Sequence, residues 1–466
     1  MTSYALGAVH DIESAKQVLA HLIERSFESA SARRDQRRAI RLEVPIEPVD
    51  LLGWLRLQGN RSRGYFANRD QEFVIAGRGN ADVITAEVDT DYEELFARLR
   101  AGIAGVHPNL RYYGGMRFSH RSTVDEKWKP FRAYRFVLPR FELLNRGAQS
   151  YLACNAVFDR DADAWALKDE LLEELDTMAF PSEGPRGAVP RPTSRVDLPD
   201  QAQWSARVQT ALDRIVQGPL EKVVLARETR FTFEQTLDAL SVFTPLLEGT
   251  QHTYQFCYQP RSDFAFFGAS PERLYKRRGR FIESEAVAGT RPRGTTEAED
   301  EALGNELLAN DKEQREHRYV VDSIRQDLEK VCKVVHVEPE PSLLKLRKVQ
   351  HLYTRIEGIL RDDREIDAEL LGILHPTPAV GGYPREEATA WIDATEPFDR
   401  GWYSGPVGWV SQDAAEFAVG IRSGLVDGNT LSLYSGAGIV SGSKPVEEWA
   451  EIEQKMANFL GILTGA

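Results

Sequence analysis

Two glutamates and a lysine near the carboxyl end of the sequence have the spacing of one helix face. Pro445 favours the first turn of a helix. At about 100° per residue, Glu448, Glu451 and Lys455 then fall within about 60° of one another. Two carboxylates and an ammonium on one face could hold a hard cation and an anionic group. The alternative is a solvated face that carries an ordinary Glu–Lys pair.

Two glycines lie just before this helix. Gly436 and Gly438, with Ala437 between them, leave backbone N–H groups uncovered. A loop of this kind can approach an anionic ligand where a side chain would block it. Together with the helix face, the glycines predict a combined anion and metal site.

A second pair of glutamates occurs in a long stretch with a helical pattern, Glu297 to Val334. Glu313 and Glu316 are three residues apart, so they share a helix face. Two helices therefore each offer a pair of carboxylates. Oxygen donors with no clustered Cys or His suit Mg²⁺.

Lys222 stands at the start of an apolar run, Leu220 to Arg227, that is typical of a buried strand. Such a lysine is usually at the edge of a sheet, with its ammonium in solvent. If it is buried instead, desolvation would depress its pKa and make it a usable base. The sequence alone leaves both interpretations open.

The remaining pattern predicts a chain of mixed helices and strands. Short strands alternate with turns from Ile40 to Val137, and Asp427-Gly428 is expected to join two strands as a hairpin. Residues 181–199, with five prolines, are interpreted as a linker or surface loop. The other predicted helices are Ile12 to Glu28 and Gln203 to Val216, and the strands nearest the glycines are Gly405 to Val410, Glu416 to Val426 and Thr430 to Ser435.

Composition excludes several classes of protein. The 466 residues carry a net charge of −13, which disfavours nonspecific binding to nucleic acid or to an anionic membrane. We find no signal peptide, no apolar run of membrane-spanning length and three widely separated cysteines, so we expect a cytoplasmic protein with buried thiols. P-loop, dinucleotide, zinc-protease and serine-hydrolase motifs are absent from the sequence.

Six short motifs follow one another in the second half of the sequence: Lys222-Val-Val-Leu-Ala-Arg227, Ser270-Pro-Glu272-Arg-Leu274, Ala288-Gly-Thr290, Lys312-Glu-Gln-Arg-Glu316-His317, Gly436-Ala-Gly-Ile439 and Glu448-Trp-Ala-Glu451. With these motifs, in family order, the sequence from about Gln203 to Ala466 resembles the family of chorismate-utilising enzymes. The resemblance implies one α+β body with two large stacked antiparallel sheets and helices on the outside. It also implies a variable amino-terminal portion of that body at 1–180, the linker at 181–199 and a chorismate-binding catalytic domain at 200–466.

Within the family the chain looks most like a menaquinone-type isochorismate synthase, an isomerase. The closest motifs are Leu374-His-Pro-Thr-Pro-Ala-Val-Gly-Gly382 and Glu396-Pro-Phe-Asp-Arg-Gly-Trp-Tyr-Ser-Gly405. Some aminodeoxychorismate synthases carry a nucleophilic lysine where this chain has Ala288. Anthranilate synthases usually show Ser-Gly-Ala-Pro-Lys where this chain has Gly381-Gly-Tyr-Pro-Arg385. Salicylate and anthranilate synthases nevertheless remain alternatives.

The resemblance implies a role for each motif residue. Lys222 would activate water for attack at C2 of chorismate, and Glu272 would protonate the departing C4 hydroxyl. Mg²⁺ would bind the ring carboxylate and be held by Glu316 and Glu451, with Glu313 and Glu448 bonding through its waters. The enolpyruvyl carboxylate and the ring would contact Thr290, His351, Tyr403, Arg422, Gly436, Ala437, Gly438 and Lys455.

The same resemblance bears on partners. Isochorismate synthesis uses water, so we expect no glutaminase partner and a monomer or weak homodimer. A catalytically silent regulatory protein that binds a carboxylate is the alternative from another class, and the presence of both Lys222 and Glu272 speaks against it. Whether the product feeds menaquinone, siderophore or salicylate synthesis is not indicated by these motifs.

Overall fold

Both helices and strands occur along the whole length of the described chain. The computed structural model describes residues 9–30, 37–87, 91–119, 124–158, 163–181, 189–361 and 366–465. The α-helices in these ranges are α1 (Ile12–Ala30), α2 (Leu51–Arg56), α3 (Tyr92–Ile103), α4 (Ala164–Asp176), α5 (Gln201–Gln217), α6 (Ala239–Glu248), α7 (Glu297–Ala309), α8 (Asp311–Val331), α9 (Asp367–Leu374), α10 (Arg385–Thr395) and α11 (Pro445–Thr464).

The strands are β1 (Arg38–Ile46), β2 (Arg63–Ala67), β3 (Phe73–Ala86), β4 (Tyr112–Met116), β5 (Tyr134–Arg146), β6 (Gln149–Phe158), β7 (Ser194–Leu198), β8 (Lys222–Thr232), β9 (Tyr254–Arg261), β10 (Phe264–Ser270), β11 (Arg273–Arg278), β12 (Phe281–Pro292), β13 (Cys332–Val337), β14 (Ser342–Lys345), β15 (Val349–Leu360), β16 (Gly382–Tyr383), β17 (Pro406–Val410), β18 (Ala414–Val419), β19 (Ser423–Asp427) and β20 (Thr430–Val440).

These strands pair antiparallel in two sheets that share one long pair of strands, β3 and β5. One sheet has the order β1-β6-β5-β3-β2-β9-β10-β19-β20-β8-β7. The other runs β3-β5-β4-β17-β18-β11-β12-β15, with β13 and β14 both on β15. Strands β3 and β5 pass from one sheet to the other, with a register shift between Asn80 and Asp82. Strands from both halves of the sequence therefore lie side by side.

An aromatic layer lies between the two sheets. The rings of Phe73 and Trp409 are 5.6 Å apart, and those of Phe266 and Trp402 are 6.2 Å apart. These side chains belong to one buried cluster, to which strands of both sheets contribute residues. The predicted α+β fold, with stacked antiparallel sheets and outer helices, is confirmed.

Two helices carry the predicted carboxylates. Helix α8 begins after Asn310, whose side chain accepts from the backbone N–H groups of Lys312 and Glu313, and it packs against β12 and β15. Helix α11 has Pro445 in its first turn and packs against β20. The predicted hairpin at Asp427-Gly428 joins β19 to β20, which brings α11 back onto the strand that contains the glycines.

Some predicted elements have different bounds in the structure. The single helix expected over Glu297 to Val334 is two helices, because Asn310 ends α7 and caps α8, and Val334 belongs to β13. The strand expected over Glu416 to Val426 is interrupted at Arg422, whose φ of 49° is incompatible with a continuous strand. Helices α1 and α5 confirm the other two helix predictions.

The predicted glycine loop and part of the predicted linker also form strands. Strand β20 continues to Val440, and Gly436 and Gly438 pair with β8 within it, so the loop prediction is wrong. Residues 194–198 form β7 and pair with β8, whereas residues 182–188 of the expected linker lie outside the described residues. None of the described helices is long and apolar enough to cross a membrane.

Candidate active site

A cavity of about 640 Å³ lies between the two carboxylate-bearing helices and strands β8, β12, β15 and β20. Four of the predicted site residues, Lys222, Glu313, Ala437 and Glu448, do not line it. Ala437 is fully buried in the hydrophobic core, because alternate residues of β20 face opposite ways. The predicted residues that do line the cavity are Glu272, Thr290, Glu316, His351, Tyr403, Arg422, Gly436, Gly438, Glu451 and Lys455.

Lys222 is the first residue of β8 and is completely buried. Its Nζ lies 3.0 Å from Oε1 of Glu316, which lines the cavity. The alternative of a solvent-facing edge lysine is therefore wrong. A Cβ on Gly438 would clash with the Glu316 carboxylate and lie 3.0 Å from Cε of Lys222. The glycine thus leaves the space that this ion pair occupies.

Glu272 occupies the turn between β10 and β11 and is buried in the cavity wall. Burial and, second, the charge of Glu285 raise the pKa of Glu272 to about 8. Oγ1 of Thr377 lies 3.4 Å from Oε1 of this carboxyl. At neutral pH the group keeps its proton, so it can act as a general acid.

Arg422 and His351 form the cationic wall of the cavity. Burial lowers the pKa of Arg422 to about 10, so the guanidinium remains charged at neutral pH. Burial and the neighbouring Arg422 lower the pKa of His351 to about 3, so the imidazole is neutral. Nδ1 of His351 lies 2.9 Å from the carbonyl oxygen of Gly289, which can only accept, so this nitrogen carries the proton. Nε2 is then free to accept from Arg422, 3.3 Å away.

Lys455 and Tyr403 continue this wall along β20. Lys455 Nζ donates to the Gly436 carbonyl over 2.9 Å and pairs with Glu451 at 2.6 Å. The Tyr403 ring stacks on Tyr434 at 5.3 Å, and a Cβ on Gly436 would lie 3.0 Å from the Tyr403 hydroxyl. Among the described strands, β19 pairs with β20 only as far as Tyr434, which leaves one edge of β20 without a strand partner beside the cavity.

The four predicted metal ligands are each paired with a cation. Glu313 lies 3.0 Å from Arg291, and Glu448 lies 2.8 Å from Lys312. Glu316 and Glu451 pair with Lys222 and Lys455 in the same way. Across the described ranges, no three His, Cys, Asp or Glu side chains lie close enough together to hold a metal ion in this arrangement. The four carboxylates are thus drawn towards their cations rather than towards one shared point.

The carboxylates nevertheless influence one another. Burial and then the charge of Glu316 raise the pKa of Glu313, and burial and then the charge of Glu451 raise the pKa of Glu448 to about 7. Oxygen donors that repel each other across two helices are the chemistry that a hard divalent cation relieves. The donor set therefore fits Mg²⁺ in type.

The structure adds two residues, one that contacts Glu272 and one that lines the cavity, which the sequence analysis missed. Thr377 contacts Glu272, and its only signal was its place in the His375-Pro-Thr-Pro378 string. Ser435 lines the cavity, and its buried hydroxyl has no hydrogen-bond partner among the described residues. Its position next to Gly436 was the available signal, but a lone serine at the end of an apolar strand does not stand out.

Comparison with known proteins shows the family to which the chain belongs. The chain is 35% identical over 453 residues to isochorismate synthase 2, chloroplastic, of Arabidopsis thaliana, with 90% of this chain and 80% of that protein covered. It is 33% identical over 440 residues to isochorismate synthase MenF of Bacillus subtilis (strain 168), covering 90% and 92% of the two chains.

The fold gives the same result. The solved structure of MenF, the menaquinone-specific isochorismate synthase from Escherichia coli, superposes with a TM-score of 0.82 at 30% identity, over 95% of this chain and 99% of that one. The family model described as "Chorismate binding enzyme" matches residues 24–464. The protein therefore belongs to the family of chorismate-binding enzymes.

Proposed function

We propose that this protein is an isochorismate synthase, which interconverts chorismate and isochorismate. The observation that carries the proposal is Glu272, a buried carboxyl in the cavity wall that keeps its proton at neutral pH because its pKa is raised to about 8. Loss of a hydroxyl requires such a proton donor, since hydroxide is a poor leaving group. The names of the relatives point to the same activity.

In the proposed reaction, water attacks C2 of chorismate while the C4 hydroxyl leaves. The new C2–O bond forms, the ring double bonds shift, and the C4–O bond breaks. Lys222, once it has given up the proton that it holds in its ion pair with Glu316, takes a proton from the attacking water, and Glu272 gives its proton to the departing oxygen. One water enters and one leaves, so the product is an isomer of the substrate.

The substrate is a dianion, and the cavity offers cations for one of its carboxylates. Arg422 and Lys455 both line the cavity, and Arg422 is oriented by His351. We assign the enolpyruvyl carboxylate to these two cations, with the Tyr403 hydroxyl and the free edge of β20 at Gly436 beside them. A locally positive wall lets an anion approach a protein whose net charge is −13.

We further propose that Glu316 and Glu451 hold Mg²⁺, with Glu313 and Glu448 around its waters. When bound, the ion would neutralise the ring carboxylate and polarise the ring. Glu316 and Glu451 both line the cavity on facing helices, which supports this assignment. Lys222 and Lys455, which pair with these two carboxylates, would then lose part of their contacts with them.

The test is the identity of the product. Purified protein is incubated with chorismate and Mg²⁺, and the mixture is separated by chromatography with isochorismate, salicylate and anthranilate standards. Isochorismate as the main product supports the proposal, and unreacted chorismate would favour the silent carboxylate-binding protein. The cytoplasmic location, the absence of a glutaminase partner and the monomer or weak homodimer remain predictions.

A further inference from the structure

The backbone on both sides of Glu272 is held by one buried ion pair. Arg69 donates from Nη2 to the carbonyl oxygen of Pro271, and the carboxylate of Glu285 accepts from the backbone N–H of Arg273 over 2.8 Å. Arg69 also donates to Glu285, with Nη1 3.0 Å from Oε2. The residue before Glu272 and the residue after it are therefore tied to the same pair.

The pair comes from two distant parts of the chain. Arg69 lies between β2 and β3 in the amino-terminal half, and Glu285 is a residue of β12 in the other half. The Glu285 side chain is completely buried, and that of Arg69 is 10% exposed. A buried carboxylate is tolerated only when it is paired and hydrogen-bonded. Glu285 meets both conditions, although it is not needed as a ligand or a proton partner in the proposed reaction.

We propose that Glu285, held by Arg69, is a positioning residue that fixes the turn bearing Glu272 and supplies the negative charge that keeps this carboxyl a proton donor. This inference rests on the proposed function, because it assumes that Glu272 acts as the acid. It gives the amino-terminal half a positioning role, since Arg69 reaches the turn that bears Glu272 from that half.

The charges around Glu272 support the second part of the proposal. Lys222 from β8 and Lys455 from α11 both act to lower the pKa of Glu272, whereas burial and Glu285 from β12 raise it. Glu285 remains an anion: burial acts to raise its own pKa, but Arg69 and Arg273 outweigh burial and lower it. Glu285 is therefore the anion that opposes two nearby lysines at the acid.

The test compares pH profiles of kcat/KM for the wild type and for Glu285→Gln. Glutamine keeps the shape and can still accept from the Arg273 N–H, but it lacks the charge. The alkaline limb, where Glu272 loses its proton, is expected to move to lower pH by on the order of one unit. An unchanged alkaline limb in a folded Glu285→Gln protein overturns the proposal.

Two further variants separate the charge from general disruption. Glu283→Gln is the matched control, because Glu283 is on the same strand and pairs with the Arg273 side chain at 2.7 Å, but it is not among the main charges that shift the pKa of Glu272. The alkaline limb of the Glu283→Gln profile should stay at the pH of the wild-type limb. Arg69→Gln removes both the hydrogen bond to the Pro271 carbonyl and the charge that does most to keep Glu285 ionised, so kcat should fall roughly tenfold.

The outcomes also distinguish this inference from the proposed function. If the wild type makes no isochorismate, the proposed function fails, and if Glu272→Gln retains turnover, the role of Glu272 as the acid fails. If Glu272→Gln is inactive but Glu285→Gln has the wild-type profile, only the positioning role fails. Should Glu285→Gln not fold, an unchanged kcat in Arg69→Gln would still overturn the proposal.

Discussion

Arg422 donates from Nη2 to Nε2 of His351 over 3.3 Å, and Nδ1 of the same ring lies 2.9 Å from the carbonyl oxygen of Gly289. The backbone of β12 thus orients the imidazole, and the imidazole orients the guanidinium. Arg422 is also held by the Lys455 carbonyl, 3.3 Å from its Nη1. A cation fixed in this way can bind a carboxylate with little loss of side-chain freedom.

We therefore expect Arg422→Gln to weaken substrate binding. KM for chorismate should rise roughly 10- to 100-fold, with a smaller change in kcat, because a charge-assisted contact to the unreactive end of the substrate is lost. Steady-state kinetics measures both constants. Arg325→Gln, which removes a half-exposed arginine of α8 that pairs with Asp322, is the control and should leave KM unchanged. A rise confined to kcat would contradict the assigned role.

Substitution of the proposed proton partners, Glu272 and Lys222, should lower kcat rather than raise KM. Glu272→Gln and Lys222→Met should each lower kcat on the order of 10²- to 10⁴-fold, because each removes one proton partner and keeps the side-chain volume. KM should change little. Thermal unfolding monitored by circular dichroism checks that both variants fold. Turnover close to that of the wild type in either variant would contradict the mechanism.

Much of this site could be predicted from the sequence because its residues occur in local patterns. Glu313 and Glu316 on α8, and Glu448 and Glu451 on α11, follow from helical spacing alone. The apolar run after Lys222 indicated the buried strand that the structure contains. The prediction that these two helices lie next to each other came only from the family resemblance.

Contacts between distant segments could not be predicted. Arg69 contacts Glu285, which is 216 residues away in the sequence, and no spacing rule predicts such a pair. The positive φ of Arg422 interrupts a stretch that alternates like one strand, so local propensity predicted a continuous element. Gly436 and Gly438 look like a loop in sequence, but pairing with β8 overrides the low strand propensity of glycine.

The pH dependence should show an alkaline limb set by Glu272. Its pKa is raised from the ordinary 4.5 to about 8, so the acid is protonated below that pH and the rate should fall as pH rises through it. His351, with a pKa lowered to about 3, does not titrate in this range. A profile of kcat/KM from about pH 6 to pH 10 measures the limb. A decline complete by about pH 6 would contradict the raised pKa.

Activity should depend on Mg²⁺ through Glu316 and Glu451. Protein treated with a chelator should lose activity and regain it on addition of Mg²⁺, because oxygen-only donors suit this ion. Glu451→Gln should raise the Mg²⁺ concentration needed for half-maximal rate by roughly tenfold or more.

Isothermal titration calorimetry, with Mg²⁺ titrated into the protein without substrate, measures Mg²⁺ affinity and so tests the same assignment independently of activity. Glu447→Gln is the matched control, since Glu447 is exposed on the same helix and pairs only with Lys444 among the contacts of the described residues. Full activity after chelation, or equal Mg²⁺ affinity in Glu451→Gln and Glu447→Gln, would contradict the assignment.

Pyruvate release distinguishes isochorismate formation from salicylate and anthranilate formation. Isochorismate formation exchanges a hydroxyl and keeps the enolpyruvyl group, whereas salicylate and anthranilate formation expel that group as pyruvate. Arg422 and Lys455 line the cavity as cations that can hold the enolpyruvyl carboxylate, which favours attack at the ring over elimination.

We expect chorismate consumption with Mg²⁺ near neutral pH to give no stoichiometric pyruvate, with or without ammonium. A lactate dehydrogenase assay measures it. Stoichiometric pyruvate only with ammonium would instead indicate an anthranilate synthase component, and stoichiometric pyruvate without ammonium a salicylate synthase.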